Sequence, residues 1–96
     1  MNEVKLLLEE DGNGMFYIMD GDESLAEMRI VVQGNIVTAS HTEVLPKAEG
    51  KGLGKELFDQ LVSYSRENGL TLNPLCPFVL ARLRKSPDEY KDIWKY

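Results

Sequence analysis

The chain has one cysteine, one histidine and one tryptophan, and it has no long hydrophobic run. A lone cysteine excludes an internal disulfide, and one cysteine with one histidine cannot close a structural zinc site. Carboxylates alone could still hold a hard metal, but no calcium-loop spacing occurs, so no metal is expected. The longest unbroken apolar stretch is Met15-Phe16-Tyr17-Ile18-Met19, against the roughly 20 residues needed to cross a bilayer. No basic N-terminal segment leads into an apolar one, so neither a signal peptide nor a transit peptide is expected and the chain reads as cytoplasmic. Basic charge is scarce at the front. Residues 1–44 carry two basic and nine acidic side chains, which argues against wrapping nucleic acid, since no basic stripe displaces phosphate counterions. Residues 76–96 reverse the balance, with five basic and three acidic side chains. A small anion at the C-terminal part and a cationic substrate at the acidic half are compatible with this split, and surface charge that simply keeps the domain soluble is the plainer reading.

What is present is ordinary globular composition: 96 residues, 43% hydrophobic and 28% charged. That length accommodates one compact domain, expected to span residues 1–96. Strand patterning fills the first half. Val4 to Leu8 places Val4, Leu6 and Leu8 on one face, and Asp11-Gly12-Asn13-Gly14 is a turn signal. Met15 to Met19 is a second strand. Ala26, Met28, Ile30 and Val32 alternate with Glu27, Arg29, Val31 and Gln33 in a third, and Ile36 to Val44 is a β-branched fourth. Short turns between them predict an antiparallel meander. The period then changes. Leu53, Leu57 and Leu61 recur every fourth residue beside Phe58 and Val62, predicting an amphipathic helix of about four turns that stops at Asn68-Gly69. A strand over Leu70 to Asn73 follows, then a helix from near Pro77. Ser86-Pro87-Asp88-Glu89 is read as opening a short final helix carrying Tyr90, Ile93 and Trp94. The expected class is α+β, with helices against a mainly antiparallel sheet.

The sharpest feature is Glu49-Gly50-Lys51-Gly52-Leu53-Gly54-Lys55, between the fourth strand and the long helix. Three glycines at alternate positions are costly to order, so such a loop usually serves unusual dihedrals or a close backbone approach. It opens a helix N-terminus, where unpaired amides and the dipole favour an anion, with Lys51, Lys55 and Lys47 nearby. It is not a phosphate-binding P-loop, because three residues rather than four separate Gly50 from Gly54-Lys55, and Glu56 follows. Nor is it a dinucleotide fingerprint, whose spacing is G-x-G-x-x-G after the first strand of a parallel unit.

The loop does resemble the [Q/R]-x-x-G-x-[G/A] loop of the GNAT acyltransferase superfamily, with Gly52-Leu53-Gly54 as the glycine half and Glu49 in place of Gln or Arg. His41-Thr42-Glu43-Val44 before it, Glu67-Asn68-Gly69 at the helix end and Pro74-Leu75-Cys76-Pro77-Phe78 after the next strand are similar to the small single-domain N-acetyltransferase-like branch. The resemblance runs from about residue 15 to the C-terminus.

It implies a GNAT-like fold and acetyl-CoA as cosubstrate, with an unidentified amine as acceptor and a monomer or weak homodimer as the working unit. Amides of Gly50 through Lys55 would meet the pyrophosphate, and Val44 and Leu45 the pantetheine through their main chain. Arg82 and Lys85 are candidates for the 3′-phosphate; a solvated basic helix face is the plainer reading of both. Histidine titrates near neutrality when unperturbed, which makes His41 the leading general base and Glu43 the second. A strand bulge would separate the two, and a strand histidine that only hydrogen-bonds its neighbours is the alternative. Cys76 has three functional readings: proton donor to the leaving thiolate, transient acetyl acceptor, or partner of CoA in a mixed disulfide. A small buried hydrophobe is the fourth. No tyrosine has a secure place as the acid, since Tyr64 packs and nothing in the spacing aims Tyr90 or Tyr96 at the thioester. A non-catalytic acyl-CoA binding or sensing module is the competing reading, and a purely structural protein–protein module is the third.

Overall fold

A computed structural model describes residues 3–94; Tyr96 lies outside them. Turns at Asp11-Gly12, Gly21 and Gly34 reverse the chain between β1 (Lys5–Leu8), β2 (Asn13–Asp20), β3 (Glu23–Gln33) and β4 (Ile36–Val44). All three consecutive pairs are antiparallel, which is the expected meander. Gly12 must be glycine: its φ is 93°, and a Cβ there would sit 2.2 Å from the Val32 carbonyl oxygen. A single turn of 3₁₀ helix, Pro46–Ala48, and the glycine loop lead into α1 (Leu53–Glu67). The chain then returns as β5 (Thr71–Pro74), parallel to β4, and continues into α2 (Pro77–Lys85). The five strands lie in sequence order across one sheet.

Alternation decides which face is covered. Phe16, Ile18, Ala26, Met28, Ile30, Val37, Ala39 and Leu72 point one way and are buried beneath the helices. From α1, Leu53, Leu57, Phe58, Leu61 and Val62 meet them. Each such apolar side chain contributes roughly 1.5–3 kcal/mol on burial, far more than helix propensity supplies. Ser65, the buried polar residue of this stripe, donates its hydroxyl to the Leu61 carbonyl. Both α1 and α2 lie on this side. Among the described residues no helix is long and apolar enough to cross a membrane.

The strand expected over Val4–Leu8 forms as β1, and Leu6, Leu7 and Leu8 are 39%, 51% and 44% exposed because β1 lies at the sheet edge. One expectation needs correction. The short final helix is only one 3₁₀ turn, Pro87–Tyr90, and Ser86 makes no side-chain cap. Ile93 and Trp94 are buried after that turn, with the Ile93 carbonyl accepting from the Leu72 amide at the sheet. Docking to β5 outweighs continuation of a helix. Arg66 of α1 fastens this segment by ion pairing with Asp92, which holds the Asp92 carboxyl below the usual carboxylate range.

Candidate functional site

β4 carries the first half of the site because of one irregularity. Arg29 pairs with His41 but Ile30 pairs with Ala39, so Ser40 is the extra residue of a bulge. Val37 and Ala39 point into the core before it, and without the bulge His41 and Glu43 would follow them. The bulge turns His41 and Glu43 to the opposite, helix-free face and directs Thr42 and Val44 toward the core side. Since it precedes His41, it does not separate the two candidates: His41 Nε2 lies 3.5 Å from Glu43 Oε1.

The second half of the site is where β4 and β5 part. Their pairing ends at Ala39 and Pro74, and the Ala39 carbonyl accepts from the amides of Leu75 and Cys76. Beyond that point β4 keeps β3 on one side only. In an antiparallel pair alternate residues turn their backbone groups toward the partner. Leu45 donates to the Leu25 carbonyl, so Glu43 and Leu45 face β3 while the amides and carbonyls of Thr42 and Val44 face the opening. The Leu45 carbonyl is also spent, accepting from Ala48. Open backbone groups therefore belong to Thr42 and Val44, and Leu45 has none to offer.

The glycine loop closes one end of this opening. Gly50 and Gly52 have φ of 82° and 78°, left-handed values that favour glycine. Gly54 has another reason: a Cβ on it would lie 2.8 Å from the Phe78 ring of α2. The first amide of α1 to find a backbone carbonyl is Glu56, which donates to Gly52. Those of Leu53, Gly54 and Lys55 are left pointing out of the helix end. A groove of about 350 Å³ runs along these groups, bounded by Val44, Glu49, Gly52, Gly54, Phe78 and Arg82, with Gly50, Leu53 and Lys55 also on its wall.

The candidate cations divide. The Arg82 guanidinium sits over the rings of Phe58 and Phe78, 5.6 and 5.8 Å from their centroids, and lines the groove. Lys85 is exposed one turn further along α2 and is not part of the groove wall. Lys51 is exposed off the wall, Lys55 pairs with Asp59, and Lys47 pairs with Glu23. Cys76 is 3% exposed and directs its thiol to Thr42 Oγ1 at 3.3 Å, on the core side of the sheet. His41 is on the other face, so the two are brought to the same level of the sheet but not into one pocket. Tyr90 packs edge-on against Phe58, and burial pushes its phenol up. Tyr64 likewise packs, against Phe16. Phe78 and Thr42 are the lining and edge residues that sequence reasoning missed, although Phe78 lies inside a motif already singled out.

A strand opening beside a glycine-wrapped helix end offers backbone groups to an extended ligand and unpaired amides to an anion. The profile of the family described as GCN5-related N-acetyl-transferase matches residues 15–93. The chain belongs to that family. A GCN5-like candidate N-acetyltransferase from Staphylococcus aureus, known from its solution structure, is 32% identical. The match covers 99% of this chain and 91% of that one, with a TM-score of 0.70. Two more distant structures share the fold. The ribosomal-protein-S18-alanine N-acetyltransferase of Escherichia coli is 20% identical, with a TM-score of 0.61 over 67% of this chain and 42% of that one. A candidate GNAT-family acetyltransferase from Desulfovibrio desulfuricans is 15% identical, with a TM-score of 0.60 over 81% and 54%. No curated protein matches the chain. The match begins at residue 15, where the sequence resemblance begins, and GNAT proteins of this kind use acetyl-CoA as acetyl donor.

Proposed function

We propose that the protein is an N-acetyltransferase that moves the acetyl group of acetyl-CoA to a primary amine by direct attack. The observation that carries this reading is the continuity of one groove from the open edge of β4 to the unpaired amides of the glycine loop. The pantetheine amides would add to Thr42 and Val44 as a further strand. The pyrophosphate would lie on the α1 N-terminus, where backbone donors and the dipole favour it. Arg82, held between two rings, would meet the 3′-phosphate. The chemistry then needs little else. The neutral amine nitrogen attacks the thioester carbonyl carbon, the C–N bond forms, the C–S bond breaks, and CoA leaves as thiolate. His41 takes the proton that the amine gives up and passes it to solvent, and the thiolate gains one from solvent. Glu43 orients His41. Cys76, buried and donating to Thr42, packs the floor and is left out of the step.

Two expectations test the cofactor half. Arg82→Ala should bind acetyl-CoA several-fold more weakly and lose the preference of the native protein for CoA over dephospho-CoA, read by calorimetry; an unchanged preference would remove Arg82 from the phosphate. Glu49→Gln should tighten acetyl-CoA, by roughly two- to fivefold, because an exposed carboxylate on the groove wall repels the pyrophosphate at low salt. Weaker binding in that variant would contradict the placement.

The reaction itself is tested by thiol release from acetyl-CoA. Release that requires both protein and a primary amine supports the enzyme. One specific observation favours the second reading, a binding or sensing module: neither Tyr64 nor Tyr90 is free to serve as acid, since Tyr90 is packed on Phe58 and Tyr64 on Phe16. Tight acetyl-CoA binding with no release across a panel of amines would select it.

A further inference from the structure

The helix-free face of the sheet holds a second hollow, of about 380 Å³, which the cofactor groove does not use. Leu7, Met15 and Val31 give it an apolar floor, and Glu9, Arg29 and Ser40 give it a polar rim. Leu7, Met15 and Arg29 sit side by side across β1, β2 and β3, and Arg29 pairs in turn with His41. Ser40, the bulge residue, adjoins His41 in sequence. The hollow therefore reaches Arg29 and Ser40, the cross-strand and chain neighbours of the candidate base.

Beside it lies a block of four charged positions. Glu27 pairs across the strands with Glu43, as Arg29 does with His41. Like charges directly opposite each other on a sheet are unfavourable. Their partners do not settle them. Arg29 Nη2 is 3.1 Å from Glu27 Oε2, yet off the hydrogen-bonding direction, since that shielded oxygen has no aligned donor. Glu43 is 60% exposed with the single histidine as its neighbour. Glu27 and Glu43 thus stand beside His41 on this face, with Glu9 farther off on the rim of the hollow, against the Arg29 guanidinium and the Lys5 ammonium that lies across Tyr17 in the Glu27 row.

We infer that the acceptor is a primary amine with an apolar body, seated on this open face with the body over Leu7, Met15 and Val31 and its ammonium between Glu27 and Glu43. The inference rests on the acetyl-transfer reading above and names its substrate class. An ammonium supplies the donor that Glu27 Oε2 lacks and a cationic partner for Glu43. It loses its extra proton to solvent before attack, and the neutral amine then lies next to His41, on the side of β4 facing away from the packed helices. Glu27 is then a specificity residue that acts on binding, while His41 acts on the proton.

The test uses isotope-labelled protein saturated with CoA, which carries no acetyl group and so allows no turnover. n-Hexylammonium is expected to shift the amides of Leu7, Met15, Arg29 and Ser40 saturably, and to bind roughly tenfold more tightly than ethylammonium because of its added methylenes. Met15→Ser should bring the two amines close to equal affinity. Glu27→Gln should weaken both by about fivefold, about 1 kcal/mol, with the spectrum otherwise unchanged. Shifts elsewhere or none at millimolar amine, equal native affinities, or an inert Glu27→Gln would each overturn the inference. So would shifts on this face that grow with protein concentration alone, which would make the occupant a second copy of the chain. Failure of CoA itself to move the amides of Gly50 to Lys55 is a separate result and would overturn the cofactor reading instead.

Discussion

Gly54→Ala is expected to weaken acetyl-CoA binding at least about tenfold while leaving thermal stability nearly unchanged. Two effects oppose each other. Alanine is favoured over glycine inside a helix by up to about 1 kcal/mol, and less in the first turn. Against that, the new Cβ would sit 2.8 Å from the Phe78 ring, a distance real Cβ atoms essentially never show. The obstacle is a side chain rather than backbone, so the ring gives way at modest cost to the fold. It lines the groove beside Arg82, and its displacement falls on the ligand's space and on the stacked guanidinium. Calorimetry and a melting curve on the same preparation separate the two terms. Unchanged affinity would mean that the helix end is not where the pyrophosphate lies.

His41→Ala should lower turnover by roughly 10²–10⁴-fold, the usual worth of a positioned general base, with the dissociation constant for acetyl-CoA unchanged. The side chain is 58% exposed on the helix-free face and its ion-pairing neighbour Glu43 is 60% exposed, so stability should move by no more than about 0.5 kcal/mol. Turnover that survives the substitution, or falls only together with acetyl-CoA affinity, would take His41 out of the chemical step.

Much of this arrangement was legible along the chain because its signals are local. The β-branched run from Ile36 to Val44, the leucine period of α1 and the glycines before it each declare themselves within a dozen residues, and all three form as expected. The bulge was foreseen as a type of event but not at its position. Nothing in Ala39-Ser40-His41 distinguishes one site from the next, and the choice is made by pairing with β3. Arg82 and Lys85 illustrate the same limit on a helix. They are three residues apart and equivalent by periodicity, yet only Arg82 meets the rings of Phe58 and Phe78. The leucines of β1 show what a local pattern leaves open: the strand forms, but its place at the sheet edge leaves them partly exposed. The last turn failed because a local capping signal at Ser86-Pro87 yields to a tertiary bond between Leu72 and Ile93. The hollow on the open face needs β1, β2, β3 and β4 at once, so no single segment announces it.

The most direct measurement is a titration of the isotope-labelled protein with acetyl-CoA, following backbone amide resonances. Saturable one-to-one shifts concentrated at Gly50 to Lys55, Thr42 and Val44 are the predicted result. Shifts that centre elsewhere, or none at millimolar ligand, would contradict the assignment of this groove to acetyl-CoA.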